Sequence, residues 1–265
     1  MNSSYDTILT ELTGDGILVV TLNRPQASNA TNTQMGRDML DMWRRVASKS
    51  SGVRCVILTG AGNKAFSGGG DLKERNGMTP AQWETQHEIF EASRRGLMEC
   101  PVPVVAAVNG HAYGGGCETV LACDFAYAVR SARFALTEVT LGIMPGSGGT
   151  QHLPRIAGTG RAMEVILTGL PFSAEEAAAW GIVNRVCDDV ASLMCEARAT
   201  AARIAANAPL SIRQAKKAIR TGMQMDIRSA LQFEVEAYNR LVGTQDRLEG
   251  VKAFNEKRKP VFTGH

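Results

Sequence analysis

Two carboxylates and two glycine runs are the parts of this chain that could do chemistry. Glu138 is the one acid in an apolar and small-residue stretch, Phe134-Ala135-Leu136-Thr137-Glu138-Val139-Thr140-Leu141-Gly142. Such an acid is either part of a surface turn or a carboxyl held in a cleft, where it is a candidate general acid or base. Glu118 closes the run Asn109-Gly110-His111-Ala112-Tyr113-Gly114-Gly115-Gly116-Cys117-Glu118, in which a buried strand leads through glycines into a helix. There it is either a working acid or a helix-dipole carboxylate, stabilising by about 0.3–1 kcal/mol.

The other run, Ala65-Phe66-Ser67-Gly68-Gly69-Gly70-Asp71-Leu72-Lys73-Glu74, has the same strand–glycine–helix plan. Glycines leave backbone N–H groups uncovered and permit unusual φ/ψ. At a helix start such a turn can bind an anion or an oxyanion. Two such sites converging on one developing negative charge make an oxyanion hole, each donor contributing about 3–4 kcal/mol to the transition state. The competing reading is a tight turn with Asp71 as an N-cap. Neither a P-loop pattern nor GxGxxG in its strand–helix context is present.

The elements that must position these groups follow from pattern. Residues 5–11 and 16–22 read as strands joined at Gly14-Asp15-Gly16, with Arg24-Pro25 ending the second. Residues 33–46 carry Met35, Met39, Met42, Trp43 and Val46 at helical spacing. Residues 53–59 and 102–108 are β-branched runs that read as buried strands, 124–129 as a third, and 134–136 as a short extended piece. Helices are expected over 79–99, 114–122, 146–156 and 160–168. From residue 174 onward the chain reads as helical, over 174–180, 190–206, 209–222, 227–241 and 244–258. The composition shift near residue 200 divides a mixed part, 1–200, from a helical part, 201–265.

The chain has 265 residues, 44% hydrophobic and 21% charged. That excludes a disordered chain and a disulfide mini-protein and leaves ample length for a core. The net charge of +3 does not announce a nucleic-acid binder. Cys55, Cys100, Cys117, Cys123, Cys187 and Cys195 form no CxxC pair and have no metal-ligand spacing with histidine. They read as reduced core cysteines, and no metal is expected. His87, His111 and His152 read as packed or exposed side chains. Arg213, Lys216, Lys217 and Arg220 read as a basic helix face, solvated or at an oligomer interface. No apolar stretch reaches membrane-spanning length, and Met1-Asn2-Ser3-Ser4-Tyr5-Asp6 has no leader pattern. The cytoplasm is the expected location.

AFSGGGDLKE, NGHAYGGGCE and LGIMPGSGGTQHLPR, in this order and spacing, resemble the crotonase (enoyl-CoA hydratase/isomerase) superfamily over essentially the whole chain. The resemblance implies an α/β fold: a spiral of ββα units followed by a helical trimerisation region, with trimers that commonly pair into hexamers. It puts the oxyanion-hole amides at Gly70 and Gly115, one of them often alanine in the hydratases. It puts two water-holding glutamates at Glu118 and Glu138, twenty residues apart as in the family. Both acids together imply an enoyl-CoA hydratase of fatty-acid β-oxidation type. Glu138 would then exchange the proton at C2, and Glu118 would orient and activate the water. No cofactor is implied beyond CoA, which is part of the substrate.

The resemblance also puts CoA contacts at Arg24, Ala27, Ser28, Gly68, Asp71, Leu72 and Lys73, and at Tyr238 and Lys257 near the C-terminus. Of these, Asp71 suits capping the following helix better than touching substrate. Residues 74–83 are expected to form a mobile flap over the acyl chain, with Met78 and Trp83 as its apolar surfaces. Met144 joins the acyl-pocket set. Tyr113 departs from the aliphatic residue common before the three glycines and is expected to narrow that pocket. DLKER and DRLEG…AFNEKR are similar to the branched methylglutaconyl-CoA hydratases, so a short branched acyl chain is one alternative. A Δ3,Δ2-enoyl-CoA isomerase is another, against which the presence of both acids speaks. Non-catalytic thioester binding and RNA binding, which one hydratase relative shows, are the remaining readings. The low net charge speaks against the latter.

Overall fold

Strands apolar along their whole length need cover on both faces, and this chain provides it by winding. The computed structural model of the protein describes residues 4–48 and 50–265. The leader reading drew partly on residues 1–3, which lie outside the described residues. An antiparallel pair, β1 (Ile8–Leu12) and β2 (Ile17–Leu22), comes first, followed by α1 (Thr33–Ala47). Three turns of one plan come next. The first is β3 (Cys55–Gly60), β4 (Ala65–Ser67), α2 (Leu72–Arg75) and α3 (Pro80–Met98). The second is β5 (Val104–Val108), β6 (His111–Tyr113) and α4 (Gly115–Ala122). The third is β7 (Phe125–Val129), β8 (Arg133–Ala135), α5 (Gly149–Ala157) and α6 (Thr159–Thr168). Then come β9 (Phe172–Ser173), α7 (Ala174–Ala179), β10 (Arg185–Cys187) and α8 (Val190–Ala205). Helices α9 (Pro209–Gly222), α10 (Ile227–Val242) and α11 (Gln245–Asn255) end the chain.

Each of the three turns gives its first strand to one sheet and its second to another. The larger sheet runs β1-β2-β3-β5-β7-β10, parallel from β2 onward. The smaller runs β4-β6-β8-β9, with β4, β6 and β8 parallel and β9 antiparallel. This is the expected α/β spiral of ββα units. Its consequence for function is local: the carboxyl ends of β4, β6 and β8 lie side by side, the position where open parallel sheets bind ligands.

Strand β5 starts at Val104, just after Pro103, which has no N–H to give a ladder. The helix expected from residue 79 uses Thr79 as its N-cap, closing a capping box with Gln82. Helix α8 lies across β3, β5 and β7, and Leu193, Ala197 and Ala201 on its inner face are fully buried. Small side chains four residues apart let it approach the sheet closely. Residue 200 therefore falls inside a helix of the core, and the change to the helical tail comes after Ala205.

Two surface expectations need correction. Lys216 and Arg220 are not a solvated face. Asp124 accepts from Lys216 Nζ at 2.7 Å and Arg220 Nε at 2.9 Å, and from the Val104 N–H at 2.7 Å. This cluster fastens α9 to the end of the sheet. All six cysteines are free, but Cys195, on the outer side of α8, is exposed while the other five are buried. At the other end of the tail, Arg54 donates to the carbonyls of Ala205 at 2.9 Å and Phe262 at 2.8 Å.

Asp124→Ala leaves the largely buried Lys216 ammonium without its counter-charge. Breaking such a pair costs about 3–5 kcal/mol, so the urea midpoint of this variant should fall sharply while its unfolding slope stays that of the wild type.

Candidate active site

The loop after β4 presents the first donor. Thr31 N–H donates to Gly69 O at 2.7 Å and Asp71 N–H to Thr31 O at 2.9 Å. This short parallel bridge leaves Gly70 N–H between them with no acceptor among the described residues. The loop after β6 presents the second. Gly114 takes φ +50°, and α4 starts at Gly115. The N–H groups of a first helical turn have no acceptor in their own helix, and Gly115 N–H has none elsewhere among the described residues. Gly116 holds the two loops together. A Cβ there would collide with the Ser67 carbonyl oxygen, so only glycine lets α4 rest on the end of β4. A Cβ on Gly115 would lie 3.9 Å from Gly70 N. The two expected oxyanion amides thus share one small space.

Both acids reach the same place. Glu118, in the first turn of α4, is 2% exposed. Its Oε1 accepts from Ser147 N–H and Gly149 N–H, both at 2.8 Å, at the start of α5. Glu138 opens a short 3₁₀ turn after β8 and is 9% exposed. Its Oε2 is buried with no hydrogen-bond partner among the described residues. Its Oε1 lies close to Gly114: a Cβ on that glycine would be 3.2 Å away. Burial pushes the Glu138 carboxyl up to about 7, and the charge of Glu118 adds to the rise. A carboxyl that titrates near neutrality and has a free oxygen can both give and take a proton.

These groups line a cavity of about 510 Å³. Gly68, Gly70, Leu72, Trp83, Gly115, Glu118, Glu138 and Met144 all belong to its wall, as do Met35, Met39 and Trp43 of α1. Arg24, Ala27, Ser28, Asp71, Lys73, Tyr238 and Lys257 lie outside the wall. Arg24 is engaged with Asp71 at 2.8 Å, and Asp71 caps α2 by accepting from Lys73 N–H and Glu74 N–H. Tyr238 belongs instead to an exposed apolar stripe on α10 with Ile227, Leu231, Val235 and Val242.

Two acyl-pocket assignments are corrected. Tyr113 faces away from the cavity, its ring stacked on His111 at 5.7 Å. Side chains alternate along a strand: Ala112 of β6 points into the core, so both its neighbours point out. Met78 sits in the link between α2 and α3 and does not reach the wall. That link, broken at Gly77 and Pro80 as expected, places Trp83 on the wall instead.

Sequence pattern missed two arginines on the wall. Arg75 lies across Trp83, 4.2 Å from its ring centroid. Arg94 is half-buried, with its Nε shut off from solvent, and donates to Gly115 O at 3.0 Å. Burial lowers the pKa of both guanidinium groups, which stay charged because arginine is so basic. Among the described residues, no three His, Cys, Asp or Glu side chains are grouped to hold a metal ion, and no helix is long and apolar enough to cross a membrane.

Residues 13–265 match the family model for enoyl-CoA hydratase/isomerase. The chain is 42% identical to a short-chain-enoyl-CoA hydratase of Clostridium acetobutylicum, over 92% of each. It is 37% identical to a crotonyl-CoA hydratase of Syntrophomonas wolfei, over 98% of each. The crystal structure of an enoyl-CoA hydratase from Bacillus anthracis superposes with a TM-score of 0.95 at 42% identity, over 98% of this chain and 100% of that one.

Gly116→Ala should destabilise the fold by about 1–3 kcal/mol, as overpacking does, readable as a lower urea midpoint. Glu138 gives a pH signature of opposite sign to an ion-paired acid. Its carboxyl titrates near 7 folded and near 4.5 unfolded, so the folded state holds its proton more tightly. The stability this gives is full below about pH 4.5 and is lost as pH rises through about 7. Stability of the wild type relative to Glu138→Gln, measured by denaturation across that range, should fall as pH rises.

Proposed function

The chain belongs to the enoyl-CoA hydratase/isomerase family, and within it we propose that this protein is a hydratase. It adds water across the 2,3 double bond of a 2-enoyl-CoA thioester to give the 3-hydroxyacyl-CoA. The observation that carries the reading is the pairing of a pinned acid with a free one. Glu118 has one oxygen fixed by two backbone amides, while Glu138 has an oxygen with no partner among the described residues, on the same cavity wall. That is what holding one water between two carboxyl groups requires.

In this mechanism the thioester oxygen accepts from Gly70 N–H and Gly115 N–H. Electron density drawn toward that oxygen makes C3 electrophilic, and the same two donors stabilise the enolate-like state that follows. Water gives its hydroxyl to C3 and its proton to Glu118. Glu138 gives its proton to C2. One proton passed from Glu118 to Glu138 restores the starting state. The thioester is the substrate, and no separate cofactor enters.

The protein works as a homo-oligomer built on trimers. The support is the apolar stripe on α10 and Leu248, Val251 and Phe254 on α11, all exposed in the single chain. Patches of that kind mark contact surfaces. Gly68 and Leu72 on the cavity wall serve the pantetheine arm, with Lys73 next to them in sequence and Arg24, Ala27 and Ser28 brought near in space, Gly68 N–H donating to Ser28 O at 2.9 Å, for the CoA phosphates. Tyr238 and Lys257 add contacts from the helical tail. The cytoplasm fits an enzyme with six unpaired cysteines.

Crotonyl-CoA should lose its enoyl absorbance with the wild type, and Glu118→Gln and Glu138→Gln should each lower kcat by about 10²–10⁴. Wild-type rates in both variants would end the proposal. Sedimentation equilibrium should give a mass that is a multiple of three chains of 28.4 kDa.

A further inference from the structure

The direction of the Gly70 donor is set from behind. Gly69 C=O and Gly70 N–H belong to one peptide group, and a trans peptide points its oxygen and its hydrogen opposite ways. Gly69 O is held by Thr31 N–H at 2.7 Å, so Gly70 N–H is turned away from residue 31. Thr31 N–H in turn shares a peptide group with Ala30 C=O, and Ala30 O accepts from Arg24 Nη1 at 2.6 Å. A guanidinium and two peptide groups thus form one line of hydrogen bonds, and the Gly70 N–H on the cavity wall is its free end. The line is anchored. Arg24 Nη1 also lies 2.8 Å from Asp71 Oδ2, with the arginine side chain 18% exposed. Asp71 is itself fixed: its other oxygen accepts from Lys73 N–H and Glu74 N–H, and its own N–H donates to Thr31 O at 2.9 Å. The backbone between Arg24 and Thr31 is bent to permit all this. Ser28 and Asn29 take φ of +53° and +52°, costly for two successive residues that carry side chains. The Asn29 side chain holds the bend, accepting from Arg24 N–H at 3.0 Å and donating to Ala65 O at 2.8 Å.

Hydrogen bonds in a chain polarise one another, and a bond to a charged group is the stronger kind. A guanidinium drawing on Ala30 O makes Thr31 N–H a better donor. That donor draws on Gly69 O and makes Gly70 N–H a better donor in its turn. We propose that Arg24 is a positioning residue for the thioester carbonyl: through two peptide groups its guanidinium aims and strengthens the Gly70 donor, and Asp71 keeps the guanidinium in line. The inference rests on the hydratase reading in one respect, the docking of the carbonyl on Gly70 N–H. It goes beyond that reading by giving Arg24 a task that needs no CoA phosphate.

Crotonyl-pantetheine, which has the thioester and no phosphate, separates the two tasks. In Arg24→Met its kcat/KM should fall about 10- to 100-fold, the cost of a misaimed group. A change confined to the KM for crotonyl-CoA would make Arg24 a phosphate contact alone and overturn the proposal. The second readout needs no turnover. Butyryl-CoA, isotopically labelled at the thioester carbonyl, is bound to the whole protein and read by isotope-edited infrared spectroscopy. Its carbonyl stretch should lie at lower frequency than in water. Arg24→Met should lose about a fifth to a half of that shift, from two bonds at about 10–30% each, and Arg24→Lys, which keeps a charged donor, should recover part of it. Damage to the fold alone lowers the amount bound and not the frequency. Asp71→Asn keeps a side chain able to cap α2 and should move the band in the same direction as Arg24→Met, so it decides if that variant does not fold. A band at the wild-type position in either variant would overturn the proposal. A wild type that shifts the band but turns over no crotonyl thioester ends the hydratase reading and leaves this one standing.

Discussion

The site depends on how closely two pieces of backbone can approach. The carbonyl of Ser67 at the end of β4 meets the α-carbon of Gly116 at the start of α4, with no room for a side chain between them. That contact sets where the first turn of α4 lies relative to the loop after β4. Gly70 N–H belongs to one partner, and Gly115 N–H and Glu118 to the other. The glycines of GGGD and GGGCE therefore serve two ends: some leave donors bare, and one allows the approach that brings the donors together. Elsewhere in the spiral, small side chains on α8 achieve the same kind of closeness against the sheet.

The electrostatics follow from that compression. A cavity lined by Met35, Met39 and Trp43 is a poor solvent for charge. Glu118 is provided for there by two amides of the chain Ser147-Gly148-Gly149, whereas Glu138 is not and responds by holding its proton. Two carboxyl groups of the same type thus sit in different environments, one facing the start of a helix and the other with an oxygen unpartnered among the described residues. The guanidinium of half-buried Arg94, close behind Gly115, adds positive charge on the side of Glu118.

Much of this was legible in the residues. The long apolar runs and amphipathic helices gave their positions within a few residues, and it was the family resemblance carried by the three motifs that implied a common site for Gly70, Gly115, Glu118 and Glu138. What escaped has physical reasons. Strands β4, β6 and β10 span three residues each, too few to show a period. The resemblance implied Tyr113 in the acyl pocket, but in the three-residue β6 alternation turns its ring outward. Lys216 and Arg220 looked solvated because their partner, Asp124, lies 92 and 96 residues away. Arg75 sits in a four-residue helix, where no periodicity says which way a side chain points.

The order of strands in the larger sheet is the order of the chain: β1, β2, β3, β5, β7, β10. No later strand has to be inserted between two earlier ones. As the chain leaves a ribosome, each new strand finds a finished edge to add to, and pairing reaches back one turn at a time. The groups at 70, 115, 118 and 138 can meet before α9, α10 and α11 exist. The last lock, Arg54 on the carbonyl of Phe262, must wait for almost the whole chain. Until β10 arrives, the edge of β7 is open to pairing with another chain. Growth is thus directional, with one growing edge opposite β1 and the riskiest interval between the third turn and β10.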